Sequence, residues 1–95
     1  MMEKTSVVNI NNSPYQVYIG RPGKWGNPFI IGVHGNRNEV IEKYEKWIRK
    51  RPGLLADLGE LKGKVLGCHC WPSRCHGDIL IKLLEERDET DQHIP

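Results

Sequence analysis

Residues 64–86 have the sequence KVLGCHCWPSRCHGDILIKLLEE, in which an apolar run leads into a cysteine-rich loop and then a second apolar pattern. The run from 64 to 68 has the length and composition of a short buried strand. From Asp78 to Glu86 the apolar residues recur every three or four positions, which predicts a helix. The stretch therefore predicts a strand, a loop and a helix, with the strand central in a sheet because both of its faces are apolar.

The first twenty residues predict a β-hairpin. Two β-rich runs, Ser6–Ile10 and Tyr15–Ile19, flank Asn11–Pro14, whose residue types favour a turn. Parallel strands that pair directly need a crossover of about a dozen residues, so we expect these two runs to pair antiparallel. A further short strand is expected over Ile30–Val33.

The clearest helix pattern runs from Asn38 to Lys50. Asn36, followed three residues later by Glu39, resembles a capping box. Leu54–Leu61 predicts a second, shorter helix. The apolar stripe of the long helix is Val40, Ile41, Tyr44, Trp47 and Ile48.

Alternating strands and helices predict an α/β fold. We expect a small sheet of three to four strands, with an N-terminal hairpin and two main helices packed on it, like a fragment of a Rossmann fold. A chain of 95 residues makes one domain, expected over residues 1–87, and the acidic residues 88–95 are expected to be a frayed tail.

The composition excludes several classes of protein. No apolar run approaches the ~20 residues that a membrane span needs, and the first residues lack the apolar segment of a secretory signal. All three cysteines lie between Cys68 and Cys75, which argues against a disulfide framework. We therefore expect a cytoplasmic protein. The net charge of +2 is too small to predict strong binding to a nucleic-acid backbone, so nucleic acid is only an alternative partner.

Residues 68–78, CHCWPSRCHGD, form what we call the cysteine loop, and three interpretations of it stay open. In the first, Cys68, Cys70, Cys75 and His76 hold zinc, with His34 as a conceivable further ligand. In the second, the free N–H groups at the start of the following helix bind an anion. In the third, the cysteines are small buried apolar residues of the core.

The second interpretation assigns specific roles within the cysteine loop. Gly77 lets a ligand approach the backbone, and Asp78 lies in the first turn of the helix. At a helix start the pKa of Cys75 is expected to fall, which favours a thiolate nucleophile. His76 is the candidate acid or base. Whether any reaction is catalysed stays open.

Residues 20–29, GRPGKWGNPF, form what we call the glycine loop, in which polar and aromatic residues alternate with glycine and proline. The alternative to a functional loop is a rigid turn with Trp25 and Phe29 in the core. In the functional interpretation, Arg21 and Lys24 contact a phosphate or carboxylate. Trp25 stacks on a ring of the ligand, and Asn27 contacts a polar edge of it.

The sequence resembles the small phage and bacterial family catalogued as domain of unknown function 4326. The resemblance covers residues 7–84 and rests on VYIGR at 17–21, KWGNPF at 24–29, LGC at 66–68 and CHGD at 75–78. It implies little about chemistry.

Together these patterns predict a cytoplasmic α/β protein in which the two loops form one pocket for an anionic ligand of the nucleotide or nucleoside type. Cys68 and Cys70 are expected to line this pocket beside the residues already named. The alternative is a zinc-stabilised module that binds a protein partner or nucleic acid.

Overall fold

The computed structural model describes residues 4–70 and 73–92, and of residues 88–92 the backbone alone. Three strands form one sheet: β1 (Ser6–Asn9), β2 (Val17–Tyr18) and β3 (Val65–Cys68). Three α-helices accompany it: α1 (Arg37–Arg49), α2 (Pro52–Asp57) and α3 (His76–Gln92), with a 3₁₀ turn at Leu58–Leu61 after α2. The protein therefore has the α/β fold that the sequence predicts.

The sheet has the order β1-β3-β2, so β3 is central as predicted. Both outer strands pair with β3 in parallel; Val7 and Val17 lie on either side of Leu66. The predicted N-terminal hairpin is therefore wrong. The turn residues do form a short connection, but it carries the chain across β3 to its other side instead of back along β1.

The connection between β1 and β2 passes over the face of β3 at Gly67. Side chains alternate between the two faces of a strand, and Leu66 and Cys68 belong to the core under the helices. Gly67 therefore faces the other side of the sheet, where Ile10 and Tyr15 lie. A Cβ atom at Gly67 would stand 2.6 Å from Cγ of Tyr15 and 2.7 Å from Cγ2 of Ile10. Only a residue without a side chain lets the connection lie this close to the sheet.

Helix α1 begins and packs as the sequence predicts. The Asn36 side chain accepts a hydrogen bond from the Glu39 N–H, and the Glu39 carboxylate accepts one from the Asn36 N–H. This arrangement satisfies two N–H groups that a helix start leaves without partners. The Tyr44 hydroxyl, fully buried in the middle of α1, donates to the Trp25 carbonyl at 2.8 Å and ties the glycine loop to the helix.

The structure differs from the predicted secondary structure at residues 30–33 and at the end of the last helix. The strand expected over 30–33 is a turn in which Ile31 forms one isolated bridge with Gly35. Helix α3 extends through Gln92, so the predicted domain boundary at residue 87 falls inside a helix, while residues 93–95 lie outside the described part. None of the helices in the described ranges is long and apolar enough to cross a membrane.

Candidate functional site

A cleft of about 480 Å³ lies beyond the carboxyl ends of β2 and β3. The glycine loop, the turn that follows it, the first turns of α1 and the cysteine loop line this cleft. In α/β sheets, ligands bind in crevices at this end of the strands. The cleft brings together six of the predicted site residues: Arg21, Asn27, Cys68, Cys70, Cys75 and His76.

The buried residues that line the cleft include the apolar Val40 and Ile41 of α1, and Cys68, Cys75 and His76, which are 1%, 3% and 8% exposed. The sulfur atoms of the two cysteines lie 3.4 Å apart. Cys75 immediately precedes α3, and its sulfur accepts a hydrogen bond from the Gly77 N–H at 3.4 Å. Cys75 thus occupies the position in which a serine or aspartate commonly caps a helix.

Burial raises the pKa of Cys75 to about 12, and the neighbouring Cys68 adds to the increase, although the Gly77 N–H opposes it. The direction is opposite to the lowered pKa predicted for Cys75, and a pKa this high favours a neutral thiol at physiological pH. The helix start does donate a hydrogen bond to the sulfur, but the loss of solvation in the core has the larger effect.

At the start of α3, two of the N–H groups that the sequence suggested for an anion already have partners among the described residues. The Gly77 N–H is bonded to Cys75 Sγ, and the Asp78 N–H donates to the Cys75 carbonyl at 3.0 Å. The Asp78 carboxylate accepts from the Cys75 N–H at 3.3 Å, which places a negative charge where the anion was expected. Neither Gly77 nor Asp78 lines the cleft.

Gly77 instead allows α3 to pack closely on the sheet. A Cβ atom there would lie 2.9 Å from Cγ2 of Val7 and 3.0 Å from Cδ1 of Ile19. The absence of a side chain at residue 77 is therefore explained by packing between helix and sheet, and not by the approach of a ligand.

His76 is held in one orientation. Its Nε2 lies 2.6 Å from the Ile19 carbonyl oxygen, so Nε2 carries the proton and donates it. The ring also contacts Tyr44 edge to face, with 5.0 Å between centroids. Burial lowers the pKa of His76, against the effect of the bond to Ile19, and the charge of Arg21 lowers it further. The ring is therefore neutral, which is the protonation state that a general base requires.

The positive charge of the cleft comes from three arginines: Arg21, Arg37 and Arg74. Arg37 donates to the Arg74 carbonyl at 3.0 Å, and Arg74 donates to Oδ1 of Asn38 at 2.9 Å. These two bonds attach the cysteine loop to the start of α1. No aspartate or glutamate is among the described residues that line the cleft.

Two predicted ligand contacts lie elsewhere. Lys24 forms ion pairs with Asp57 at 3.0 Å and Glu60 at 2.9 Å, on the surface near α2. Trp25 is 3% exposed and donates its indole N–H to Glu60 at 3.0 Å. Neither residue lines the cleft. The alternative interpretation of the glycine loop placed Trp25 and Phe29 in the core. Trp25 does belong to the core, whereas Phe29 is half-buried and lines the cleft.

Asn27 lines the cleft, but its amide already has partners within the protein. Its Nδ2 donates to the Val40 carbonyl at 3.2 Å, and its Oδ1 accepts from the Phe29 N–H at 2.9 Å. Asn27 therefore fixes the end of the glycine loop against α1, and so positions Phe29 at the cleft.

An apolar wall continues from the glycine loop. Phe29, Ile30 and Ile31 line the cleft, and the two isoleucines are 42% and 48% exposed. The turn is held by its own hydrogen bonds, since the Ile30 N–H donates to Nδ1 of His34 at 2.8 Å and the His34 N–H donates to the Ile30 carbonyl at 2.8 Å. His34 is thus a structural residue of this turn.

Four polar or charged lining residues were not among the predicted site residues: Tyr18, Arg37, His69 and Arg74. The Tyr18 hydroxyl lies 3.1 Å from Nε2 of His69, and the two rings meet edge to face. The sequence contains features that could have identified two of these residues: Arg74 lies within the cysteine loop, and Arg37 follows the helix cap. Tyr18 and His69 are brought together only by the pairing of β2 with β3.

The proposed zinc ligands do not form a metal site in the described ranges. No group of three or more histidine, cysteine, aspartate or glutamate side chains among the described residues is arranged to hold a metal ion. Of the candidates, His76 uses Nε2 for the Ile19 carbonyl, and Nδ1 of His34 is bonded to the Ile30 N–H.

Comparison with known proteins gives relatives from viruses. An uncharacterized protein of Acanthamoeba polyphaga mimivirus is 39% identical over 97 aligned residues, which cover 81% of this chain and 74% of that protein. The uncharacterized 12.4 kDa protein of the nrdA-td intergenic region of Enterobacteria phage T4 is 37% identical over 89, covering 90% of this chain and 82% of that protein. No solved structure gives a significant match.

The family described as domain of unknown function (DUF4326) matches residues 3–86, which include both loops and every residue of the cleft. The chain belongs to this family.

Proposed function

We propose that the protein binds a small anionic ligand with an apolar ring, of the nucleotide type, in the cleft between the glycine loop and the cysteine loop. The observation that carries the proposal is the charge of the lining: Arg21, Arg37 and Arg74 contribute three guanidinium groups, and no carboxylate among the described lining residues balances them. Guanidinium groups form paired hydrogen bonds with phosphate and carboxylate oxygens.

The apolar wall is the reason that we propose a ligand with a ring. Ile30 and Ile31 leave nearly half of their surface exposed beside the cleft, although they belong to a turn with a defined hydrogen-bond pattern. A flat ring placed against them and Phe29 removes apolar surface from water, which contributes about 25 cal/mol for each Å² buried. The cleft volume of about 480 Å³ lies within the range of roughly 300–1,000 Å³ that small-molecule sites occupy.

The test is a binding measurement on the full chain by isothermal titration calorimetry, with adenosine, guanosine, cytidine and thymidine mono- and diphosphates as probes. Arg21 is the residue to change, because no side-chain hydrogen bond or ion pair of Arg21 is found among the described residues. Arg21→Ala is expected to weaken binding of the best probe by about tenfold or more, since a charge-assisted hydrogen bond contributes about 1.5–3 kcal/mol.

Lys24→Ala is the matched control. It removes the same charge from the same loop, but from a residue that lies outside the cleft and is paired with Asp57 and Glu60. We expect this variant to bind the probe as the wild type does. The proposal fails if none of the phosphorylated probes binds, or if the Arg21 and Lys24 variants bind the best probe equally well.

A further inference from the structure

The charges of the cleft indicate how many negative charges its ligand carries. Its buried part is neutral, because burial raises the pKa of Cys75 to about 12 and lowers that of His76. The arginines thus remain without a balancing carboxylate among the described lining residues. A ligand with a single negative charge would leave most of this positive charge uncompensated.

Two of the arginines are held in place before any ligand arrives. Arg37 uses one terminal nitrogen for the Arg74 carbonyl, and Arg74 uses one for Asn38. Each guanidinium carries five N–H donors, so both retain donors for a ligand. Because these bonds already fix the side chains, less conformational entropy is lost when a ligand binds.

The third arginine comes from a different part of the fold. Arg21 follows β2 in the glycine loop, whereas Arg37 begins α1 and Arg74 belongs to the cysteine loop. Gly26 packs against Arg21, since a Cβ atom at Gly26 would lie 2.9 Å from Cγ and 3.0 Å from Cα of Arg21. Three segments of the chain thus each supply one guanidinium to the same cleft.

Resting on the proposed function, we infer that the ligand carries a terminal phosphate with at least two negative charges, as in a nucleoside monophosphate or diphosphate, and that Arg21, Arg37 and Arg74 together select it over phosphodiesters and nucleosides. A terminal phosphate has three free oxygen atoms and about two negative charges at neutral pH. A diester has two such oxygens and one charge, so it satisfies fewer guanidinium donors.

The experiment compares ligands that share one ring and differ in charge. Adenosine, 3′,5′-cyclic adenosine monophosphate, adenosine monophosphate and adenosine diphosphate are titrated into the full chain at pH 7.5 and low salt, and the series is repeated with guanine and thymine nucleotides. We expect the monophosphate or diphosphate to bind at least tenfold more tightly than the cyclic diester of the same base, and the nucleoside more weakly still.

The outcomes separate this inference from the proposed function. If the cyclic diester binds as tightly as the monophosphate, the selection for a terminal phosphate is wrong while the nucleotide site stands. If the nucleoside binds as tightly as the monophosphate, the arginines do not contribute to binding and the proposed anion site is wrong. If no member of any series binds, the proposed function itself is wrong.

Variants test two of the three arginines individually. Arg74→Ala is expected to weaken monophosphate binding by about tenfold while changing cyclic diester binding less, and Arg21→Ala should do the same without removing any internal bond. Lys46→Ala, on the exposed face of α1 outside the cleft, is the control and should change neither affinity. Equal losses for both ligands in the Arg21 and Arg74 variants would contradict the inference, and thermal unfolding shows whether each variant is folded.

Discussion

The sulfur atoms of Cys68 and Cys75 lie 3.4 Å apart at the point where the central strand ends and the last helix begins. Both thiols are buried, and Cys75 also caps α3 by accepting the Gly77 N–H. The pair therefore joins the sheet to the helix and forms part of the inner surface of the cleft. Cys70, two residues after Cys68, also lines the cleft but is only half-buried.

The difference in burial predicts how the three thiols react. A thiol must ionise to attack a reagent, and Cys75 stays protonated because burial raises its pKa to about 12. At pH 8 we expect native protein to react quickly with 5,5′-dithiobis(2-nitrobenzoic acid) at one thiol only, that of Cys70. Cys68 and Cys75 should react at the rate at which the protein unfolds, and all three should react at once in 6 M guanidinium chloride.

Cys70→Ser is the variant that checks this assignment, because it should remove the fast phase and leave the slow one. A fast phase that persists in this variant would show that one of the buried thiols is accessible.

The raised pKa of Cys75 also predicts how stability depends on alkaline pH, since the unfolded chain ionises Cys75 near the ordinary value of 9.0. The stabilising contribution of the neutral thiol is therefore present below pH 9 and is lost as the pH rises from about 9 towards 12.

The lowered pKa of His76 predicts a loss of stability at acid pH. Burial lowers its pKa in the folded protein, whereas histidine in an unfolded chain titrates near 6.5. Below that pH the unfolded state binds a proton that the folded state does not, so stability decreases as the pH falls. We expect the urea midpoint of the wild type to decrease between pH 7 and pH 5, and His76→Gln to reduce this dependence even if it lowers stability at every pH.

His69→Gln is the matched control for that measurement. His69 also lines the cleft, but it is exposed and contacts Tyr18 rather than the core. This variant should keep the wild-type dependence on pH. Our assignment of the acid sensitivity would be wrong if the His69 variant lost the dependence and the His76 variant kept it.

Local patterns predicted the helices and the central strand well, because each depends on residues close in sequence. Asn36 and Glu39 form the predicted capping box, and the predicted strand at 64–68 is found at Val65–Cys68. The prediction of a hairpin failed because turn residues specify that the chain changes direction, but not that another strand comes to lie between β1 and β2. The central strand is supplied about fifty residues later, and no local pattern contains that information.

The candidate site was predicted only in part, again because local patterns do not show which segments pack together. Sequence patterns identified the two loops that line the cleft, including Arg21 and His76. They did not separate Arg21, which lines the cleft, from Lys24, which pairs with Asp57 and Glu60 on the surface. Nor did they show that burial outweighs the helix start in setting the pKa of Cys75. Both distinctions depend on which segments pack together, and that is fixed only by the tertiary structure.

Gly67 provides a direct test of the crossover that replaced the hairpin. In Gly67→Ala the new methyl group meets Tyr15 and Ile10 at less than 3 Å, so the connection must move off the sheet. Overpacking of this kind costs about 1–3 kcal/mol, and we expect a corresponding decrease in the free energy of unfolding measured with urea. Gly59→Ala is the control, since nothing lies within 4 Å of its new Cβ atom and its backbone conformation suits alanine.

That control substitution is expected to leave stability unchanged or to raise it by about 0.4–1 kcal/mol, because alanine restricts the unfolded chain. In a hairpin, the segment between β1 and β2 would turn back beside β1, and no side chain from it would lie over β3. A Gly67→Ala variant as stable as the Gly59→Ala variant would therefore contradict the parallel order β1-β3-β2. A loss confined to Gly67→Ala is the result that the packing of Ile10 and Tyr15 over β3 requires.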